Sequence, residues 1–304
     1  MIQKFLHQYY HPDFRAGSMP KLLSVSFVPA QFNKQHPRIL HQHTDAFELL
    51  LITSGEGFYF LDTTYFPIKK GDLVFCNSGV LHDEPSEKNI DLSFYGLRAT
   101  GIKFRDLPDN HLIGNQVSPV ISLGERYTSF ESLFQELYRY AGAEYHLEEF
   151  CENLMSAIIL LAISCVYDTS SAGVEKMEDL PGMNHERIGK QGGAERIYQI
   201  KKYIDWNYHD DLSLEYLGKV FSLSPYYLSH IFKKEFEIPP MQYLYRRRIG
   251  EAQSLLTTTT GSITEVASKV GFGDSNYFTI QFRKYVGMTP SDYRNNYACS
   301  ISDK

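Results

Sequence analysis

Cysteine is scarce and scattered. Cys76, Cys151, Cys165 and Cys299 are the only four in 304 residues, and no two of them form a CxxC pair. This excludes a disulfide framework or a thiolate zinc site as the organising feature, and it suits a reducing compartment. The opening stretch MIQKFLHQYYHPDFR holds no apolar core of signal-peptide length. The longest greasy run, Leu154 to Tyr167, reads as too short and too interrupted to span a bilayer. The expectation is a soluble cytoplasmic protein with no membrane partner. Whole-chain disorder is excluded too, because 43% of the residues are apolar and 14% aromatic, enough to build cores for about two domains.

Charge is unevenly placed. The chain carries a net −6, yet residues 195–298 hold slightly more Lys and Arg than Asp and Glu. A relatively basic C-terminal third is a hint of a polyanion partner that decides nothing alone.

Periodicity divides the chain. Between 21 and about 100 the runs LLSVSFV, FELLLIT, GFYFL, LVFC and IDLSFYGL are separated by the turn-like SGEG, KKGD and NSG, a pattern of many short strands. From 126 the period becomes helical at Phe130, Leu133, Phe134, Leu137 and Tyr138, with a second, greasier helix over Leu147 to Tyr167. The stretch 169–194, rich in Gly, Ser and charge, reads as a flexible linker. The expected organisation is an α+β multidomain chain: an N-terminal arm over 1–20, a strand domain over 21–125, a helical pair over 126–168, the linker over 169–194 and an all-helical domain over 195–298.

The helical domain repeats internally. SPYYLSHIFKKEFEIPPMQYL (224–244) lies over DSNYFTIQFRKYVGMTPSDYR (274–294), pairing Tyr227 with Tyr277, Phe232 with Phe282 and Pro240 with Pro290. Each copy has a short helix, a tight turn and a second helix opened by a capping residue, Ser224 before Pro225 or Asp274. Gly271 and Gly273 supply backbone freedom in the turn, and Gly218 and Ala267 are small where crossing helices approach. This is the helix-turn-helix plan. Its second helix buries Leu228, Ile231 and Phe232, or Phe278 and Phe282, which leaves Tyr226, Ser229, His230 and Lys233, or Ser275, Asn276, Thr279 and Arg283, on the free face. Such side chains suit double-stranded DNA: Asn can pair with adenine, Thr and Tyr add apolar contact, and Lys or Arg meets phosphate. The plain alternative is a solvated helix face. Two copies in tandem favour DNA, and a helix from about Pro239 to Thr257, roughly 28 Å long, would space them near the ~34 Å of one DNA turn.

The run Ile263, Val266, Ala267, Val270-Gly271-Phe272, Asp274, Tyr277-Phe278, Phe282-Arg283-Lys284, Gly287, Thr289-Pro290 and Tyr293-Arg294 closely resembles the signature of AraC-type transcription regulators, and the likeness covers 195–298. His230 stands where that family commonly has arginine, and Ile280 takes a frequent base-contact position.

The strand domain carries a second pattern. His41 and His43 are expected on one face of a strand, Glu48 on the next apolar run, and His82 after a Gly-rich turn. The spacing HxH, four residues, E, six residues, G, followed by G, five residues, N-S-G-x-x-H, resembles the two cupin motifs, with Asn77 in place of the usual proline. The resemblance implies a small cupin-like β-barrel with a central pocket. His41, His43, Glu48 and His82 could hold a divalent metal, or serve as hydrogen-bonding groups of an effector pocket that needs no cofactor. Tyr59 and Tyr95 could stack on a sugar ring, though aromatic residues on strands are more often plain core. HQYYHPDF (7–14) folds over the pocket as a lid or hangs as a loose tail.

Together the resemblances imply a regulator that is not an enzyme. It would bind DNA as a homodimer held through 126–166, act with RNA polymerase, and respond to a small effector, with a carbohydrate as the first expectation. Two other readings stay open: a metal-dependent cupin enzyme with a DNA-binding tail, and a DNA-bound scaffold whose cupin holds a protein.

Overall fold

A computed structural model describes residues 19–83, 90–142, 147–171 and 193–297. The expected arm and lid lie outside the described residues, except for Met19 and Pro20. So does most of the expected linker, 172–192.

Strands β1 (Lys21–Val28), β2 (Phe47–Leu61), β3 (Thr64–Lys69), β4 (Asp72–Cys76), β5 (His82–Asp83), β6 (Ile90–Thr100) and β7 (Val120–Ser122) form one sheet, in the order β1-β6-β2-β4-β7 with β3 and β5 also on β2. Every pairing is antiparallel. The 15-residue β2 absorbs SGEG, which the sequence assigns to a turn between two strands. It stays one strand because β3 and β5 pair its second half, while register shifts after Ile52 and Ser54 let it bend. The chain does turn at Gly71 and Gly79, at φ +92 and +78.

Alternation along β2 sorts the two faces. Leu50 and Ile52 join Tyr59, Val74, Cys76 and Phe94 in the interior of the sheet. Leu49 and Leu51 point the other way, onto α2 (Tyr127–Tyr140) and α3 (Glu148–Ser171), and pack there with Phe130, Phe134 and Ile159. With both faces covered, the strands read as nearly continuous apolar runs. A bilayer span was not expected, yet Glu148–Val166 within α3 is long and apolar enough for one by length and composition, and half of it is buried in the fold. The stripe Met155, Ile158, Ile159 and Ala162 belongs to the domain core.

The short helix α1 (Ala30–Gln35) has no counterpart in the sequence expectations. Six residues behind a proline show no helical repeat.

The C-terminal domain comprises α4 (Gly193–Asn207), α5 (Leu214–Val220), α6 (Pro225–Phe236), α7 (Pro240–Thr258), α8 (Ile263–Lys269), α9 (Ser275–Val286) and α10 (Pro290–Tyr297). The repeat is structural as well as sequential. Gly271 at φ +90 is matched by Ser222 at φ 51, and Gly287 at φ +81 by Glu237 at φ 65. Gly273 takes no left-handed φ, so only Gly271 uses the freedom expected of the pair. A Cβ on Gly218 would come 2.8 Å from the Leu223 carbonyl oxygen, so the first turn needs its small residue.

The two domains are docked. Ile39, Leu40, Phe60 and Leu81 of the sheet domain share one apolar cluster with Leu244, Ile249, Ala252 and Leu256 of α7. Arg246 Nη2 meets Asp83 Oδ2 at 2.5 Å, and both side chains are largely buried. Gln253 accepts from the Ile39 N–H at 2.9 Å and donates to the Pro37 carbonyl at 3.2 Å.

Candidate nucleic-acid face and histidine cluster

In each recognition helix a cap sets where the helix starts, and so which face is left outward. The Ser224 hydroxyl accepts from the Tyr227 N–H at 3.2 Å, with Pro225 next in the first turn. The Asp274 carboxylate accepts from the Tyr277 N–H at 2.6 Å. Leu228, Phe232 and Phe236 of α6, and Phe278, Phe282 and Val286 of α9, are buried. Tyr226, His230 and Lys233 are left exposed and Ser229 half-buried; on α9, Asn276 and Arg283 are exposed and Ser275 and Thr279 half-buried. Tyr226 is 83% exposed and Ile280 64%, so each free face also presents an apolar group. The Thr279 hydroxyl already donates to the Ser275 carbonyl at 2.9 Å, which leaves its methyl as the outward contact. Lys233, Lys234, Arg283 and Lys284 occupy the last turns, where cations complement the helix dipole and are placed for phosphate.

The arginine triplet on α7 does a different job. Arg246 pairs with Asp83, Arg247 with Glu251 at 2.9 Å, and Arg248 donates to the carbonyls of Tyr208 and Asp210 at 2.7 Å each. All three are structural.

The second site gathers His41, His43, Glu48 and His82. His41 and His43 were expected on one strand face; in the fold, His41 makes an isolated bridge to His82, and residues 42–46 are irregular. The rings converge nonetheless, with His41 4.1 Å from His82 and 5.1 Å from His43. Glu48 Oε2 lies 3.3 Å from His82 Nε2 and 4.0 Å from His43 Nε2. Carbonyls orient two rings, Ile39 at His41 Nδ1 and Val80 at His82 Nδ1. Burial lowers His41 well below the ordinary imidazole range and brings His43 down to about 3, against the pull of Glu48. Burial would raise Glu48, but the His82 hydrogen bond and the fields of His43, His82 and Arg98 bring it down to about 2. At neutral pH these shifts leave the Glu48 carboxylate beside neutral rings at His41 and His43.

Three imidazoles and a carboxylate suit a divalent cation, and their ligand atoms lie within 4.8 Å of one another. Arg38 Nε already donates to His41 Nε2 at 3.2 Å, so a cation at that nitrogen would displace it.

A cavity of about 230 Å³ opens beside His41, His43 and Glu48. Tyr59 belongs to the sheet interior, its ring 6.2 Å from His82 and stacked. Tyr95 does not reach the cavity. It packs with Phe27, Phe134 and Tyr138 on the helix-facing side, because it has the opposite parity to Arg98, which stands across from Glu48. Asn77, in the proline position of the cupin-like motif, uses its amide to bridge Ile113 and Leu112 at 2.8 Å each. Sequence reasoning missed Arg38, Arg98, Tyr293 and Tyr297 on the cavity wall.

Residues 27–159 match the AraC-like ligand binding domain family, and residues 217–296 match a helix-turn-helix domain family, in that order along one chain. The chain belongs to the AraC family of transcription regulators. It is a DNA-binding regulator with a ligand-binding domain, and the relatives it matches are regulators, not enzymes. It is 28% identical to the HTH-type transcriptional regulator YdiP of Escherichia coli K12, over 93% of this chain and 89% of that one. It is 25% identical to the HTH-type transcriptional activator RhaS of Enterobacter sp. strain 638, over 93% and 100%. Among solved structures, the C-terminal domain of the response regulator yesN from Fusobacterium nucleatum is 42% identical over 32% of this chain and 94% of that one, with a TM-score of 0.31. The regulator binds double-stranded DNA, and α6 and α9 carry the faces described above.

Proposed function

We propose that the regulator senses a small polar effector, sugar-like in kind, in the cavity beside His41, His43 and Glu48, and that occupancy alters how α6 and α9 sit on promoter DNA. One observation carries this reading: the segment 36–41 lines the cavity and also grips the DNA-binding domain. His36 and His41 face the cavity, His36 Nδ1 contacts the Val286 carbonyl at the end of α9 at 3.0 Å, and Arg38 donates to Ser254 of α7 at 2.7 Å. An effector acts through such a segment only by binding one arrangement of it better than another. The regulator works as a homodimer held through α2 and α3, with RNA polymerase as its further partner in the cytoplasm. The exposure of Tyr138, Phe150 and Leu160 on those helices supports that interface.

The test is the melting temperature of the purified protein against sugars, other metabolites and divalent metals. A ligand at 100 times its dissociation constant adds about 2.7 kcal/mol, and ~2 to 4 °C per kcal/mol makes that readable. A hit that also changes retention of a DNA site selected from a random pool supports the sensor; hits without any effect on DNA overturn it. A divalent metal in the cluster is a second reading, favoured by the convergence of four ligand atoms. There a chelator lowers the melting temperature and added zinc or manganese restores it.

A further inference from the structure

The cavity beside the histidine cluster belongs to both domains. Ser24, Ser26 and Arg98 come from the sheet, Asn33 and Arg38 from α1 and the segment after it, and Tyr293 and Tyr297 from α10 of the DNA-binding domain. Within its wall three buried polar atoms meet no hydrogen-bond partner in the protein: Arg38 Nη1, Arg98 Nε and Asn33 Oδ1. Buried donors on a guanidinium are costly to leave unmatched, and a ligand oxygen bearing negative charge matches them best.

The charge balance points the same way. Arg38 and Arg98 bring two fixed positive charges, whereas Glu48 is the one carboxylate among the described residues of the wall and is already engaged by His82. The excess is positive, which favours an anionic group over a cation or a wholly neutral ligand. The remaining wall is mixed. Asn33 Oδ1 and the Ser24 and Ser26 hydroxyls offer partners for hydroxyl groups, and Phe94, Tyr293 and Tyr297 offer ring faces for C–H surfaces. About 230 Å³ admits a single sugar ring, not an oligosaccharide.

We propose that this cavity is a two-domain site for a monomeric sugar acid, its carboxylate between Arg38 and Arg98 and its hydroxylated ring against Tyr293 and Tyr297. This rests on the sensor reading above and names its ligand class. It also supplies a short route to DNA. Tyr293 packs on Phe282 of α9 at 5.6 Å between ring centroids, and Tyr297 packs on Phe32 of α1 at 5.4 Å. A bound ring therefore touches the helix that braces the second recognition helix.

Calorimetric titration of the full chain tests it, with D-galacturonate and D-gluconate as acids, D-galactose as the neutral counterpart, glucose 6-phosphate as a different anion, and zinc. Saturable binding is expected for at least one acid, at least tenfold weaker for galactose, and weakened at least tenfold by Arg98→Gln. Arg98→Lys, which keeps the charge, recovers part of the affinity, and Tyr297→Leu weakens the acid in a protein whose circular dichroism is unchanged. Galactose or glucose 6-phosphate binding more tightly than both acids, zinc as the sole ligand, no binding by either acid, or acid binding indifferent to Arg98→Gln and Tyr297→Leu would each overturn the inference. The two readings fail separately. A galactose hit that shifts retention of the selected DNA site leaves the sensor standing and sinks the sugar acid; galacturonate binding with no change in DNA retention does the reverse.

Discussion

The Gly250 Cα faces the Leu40 carbonyl so closely that a Cβ on Gly250 would come 2.0 Å from that oxygen. Glycine within a helix costs about 1 kcal/mol relative to alanine, so α7 gives up helix stability to let the sheet domain dock. Gly250→Ala should therefore strengthen α7 alone and part the two domains. The expected result is a single melting transition split into two and faster proteolysis near Leu40, with helical content retained. One unsplit transition at higher temperature would show the docking to be dispensable.

The first helix-turn-helix carries a local strain that its second copy avoids. Ser222 sits at φ 51 where Gly271 sits at φ +90. A left-handed non-glycine residue costs about 1 to 2 kcal/mol, part of which glycine returns as unfolded-state entropy. Ser222→Gly is expected to stabilise by about 0.5 to 1 kcal/mol, read as a rise in denaturation midpoint with unchanged m-value. A fall would mean that Ser222 has a compensating contact.

Recognition-helix side chains should separate by what they meet on DNA. Asn276→Ala is expected to cost about 1 to 3 kcal/mol and relax preference at one base position, whereas Arg283→Ala weakens all sequences alike and lowers the salt slope by about 1. Binding measured on a selected site and its single-base variants, at several salt concentrations, distinguishes them. Equal losses across all sequences for Asn276→Ala would remove it from base readout.

Acid should destabilise the sheet domain through its buried imidazoles. His43 is held neutral to about 3, so the folded state takes up fewer protons than the unfolded chain below its ordinary range near 6.5. A depressed folded value contributes stability above the unfolded one and loses it as pH falls. Between pH 6.5 and 5 this amounts to up to about 2 kcal/mol for one such histidine. His43→Gln is expected to melt less differently at pH 7 and pH 5 than the parent. An equal pH dependence would shift the effect to other groups.

What could be read from sequence depended on how local the signal was. Ser224, Pro225 and Asp274, with the 50-residue repeat, exposed the recognition helices, because caps and helical periodicity lie within a few residues of one another. SGEG misled, since Gly55 at φ +77 in a bent strand carries the same composition as a hairpin turn. Tyr95 and Arg98 needed the register of β6 on β2, which no local pattern contains. HxH and E spacing brought out the histidine cluster, but Tyr293 and Tyr297 reach its cavity only through domain docking.

The arginine triplet of α7 has a bearing on modularity. Arg247 and Arg248 find their partners inside the DNA-binding domain, whereas Arg246 finds Asp83 in the sensor. Swapping this DNA-binding domain onto another sensor would carry along a guanidinium with no counterion waiting for it. A workable chimera has to transplant the Asp83 partner or replace Arg246 by an uncharged residue.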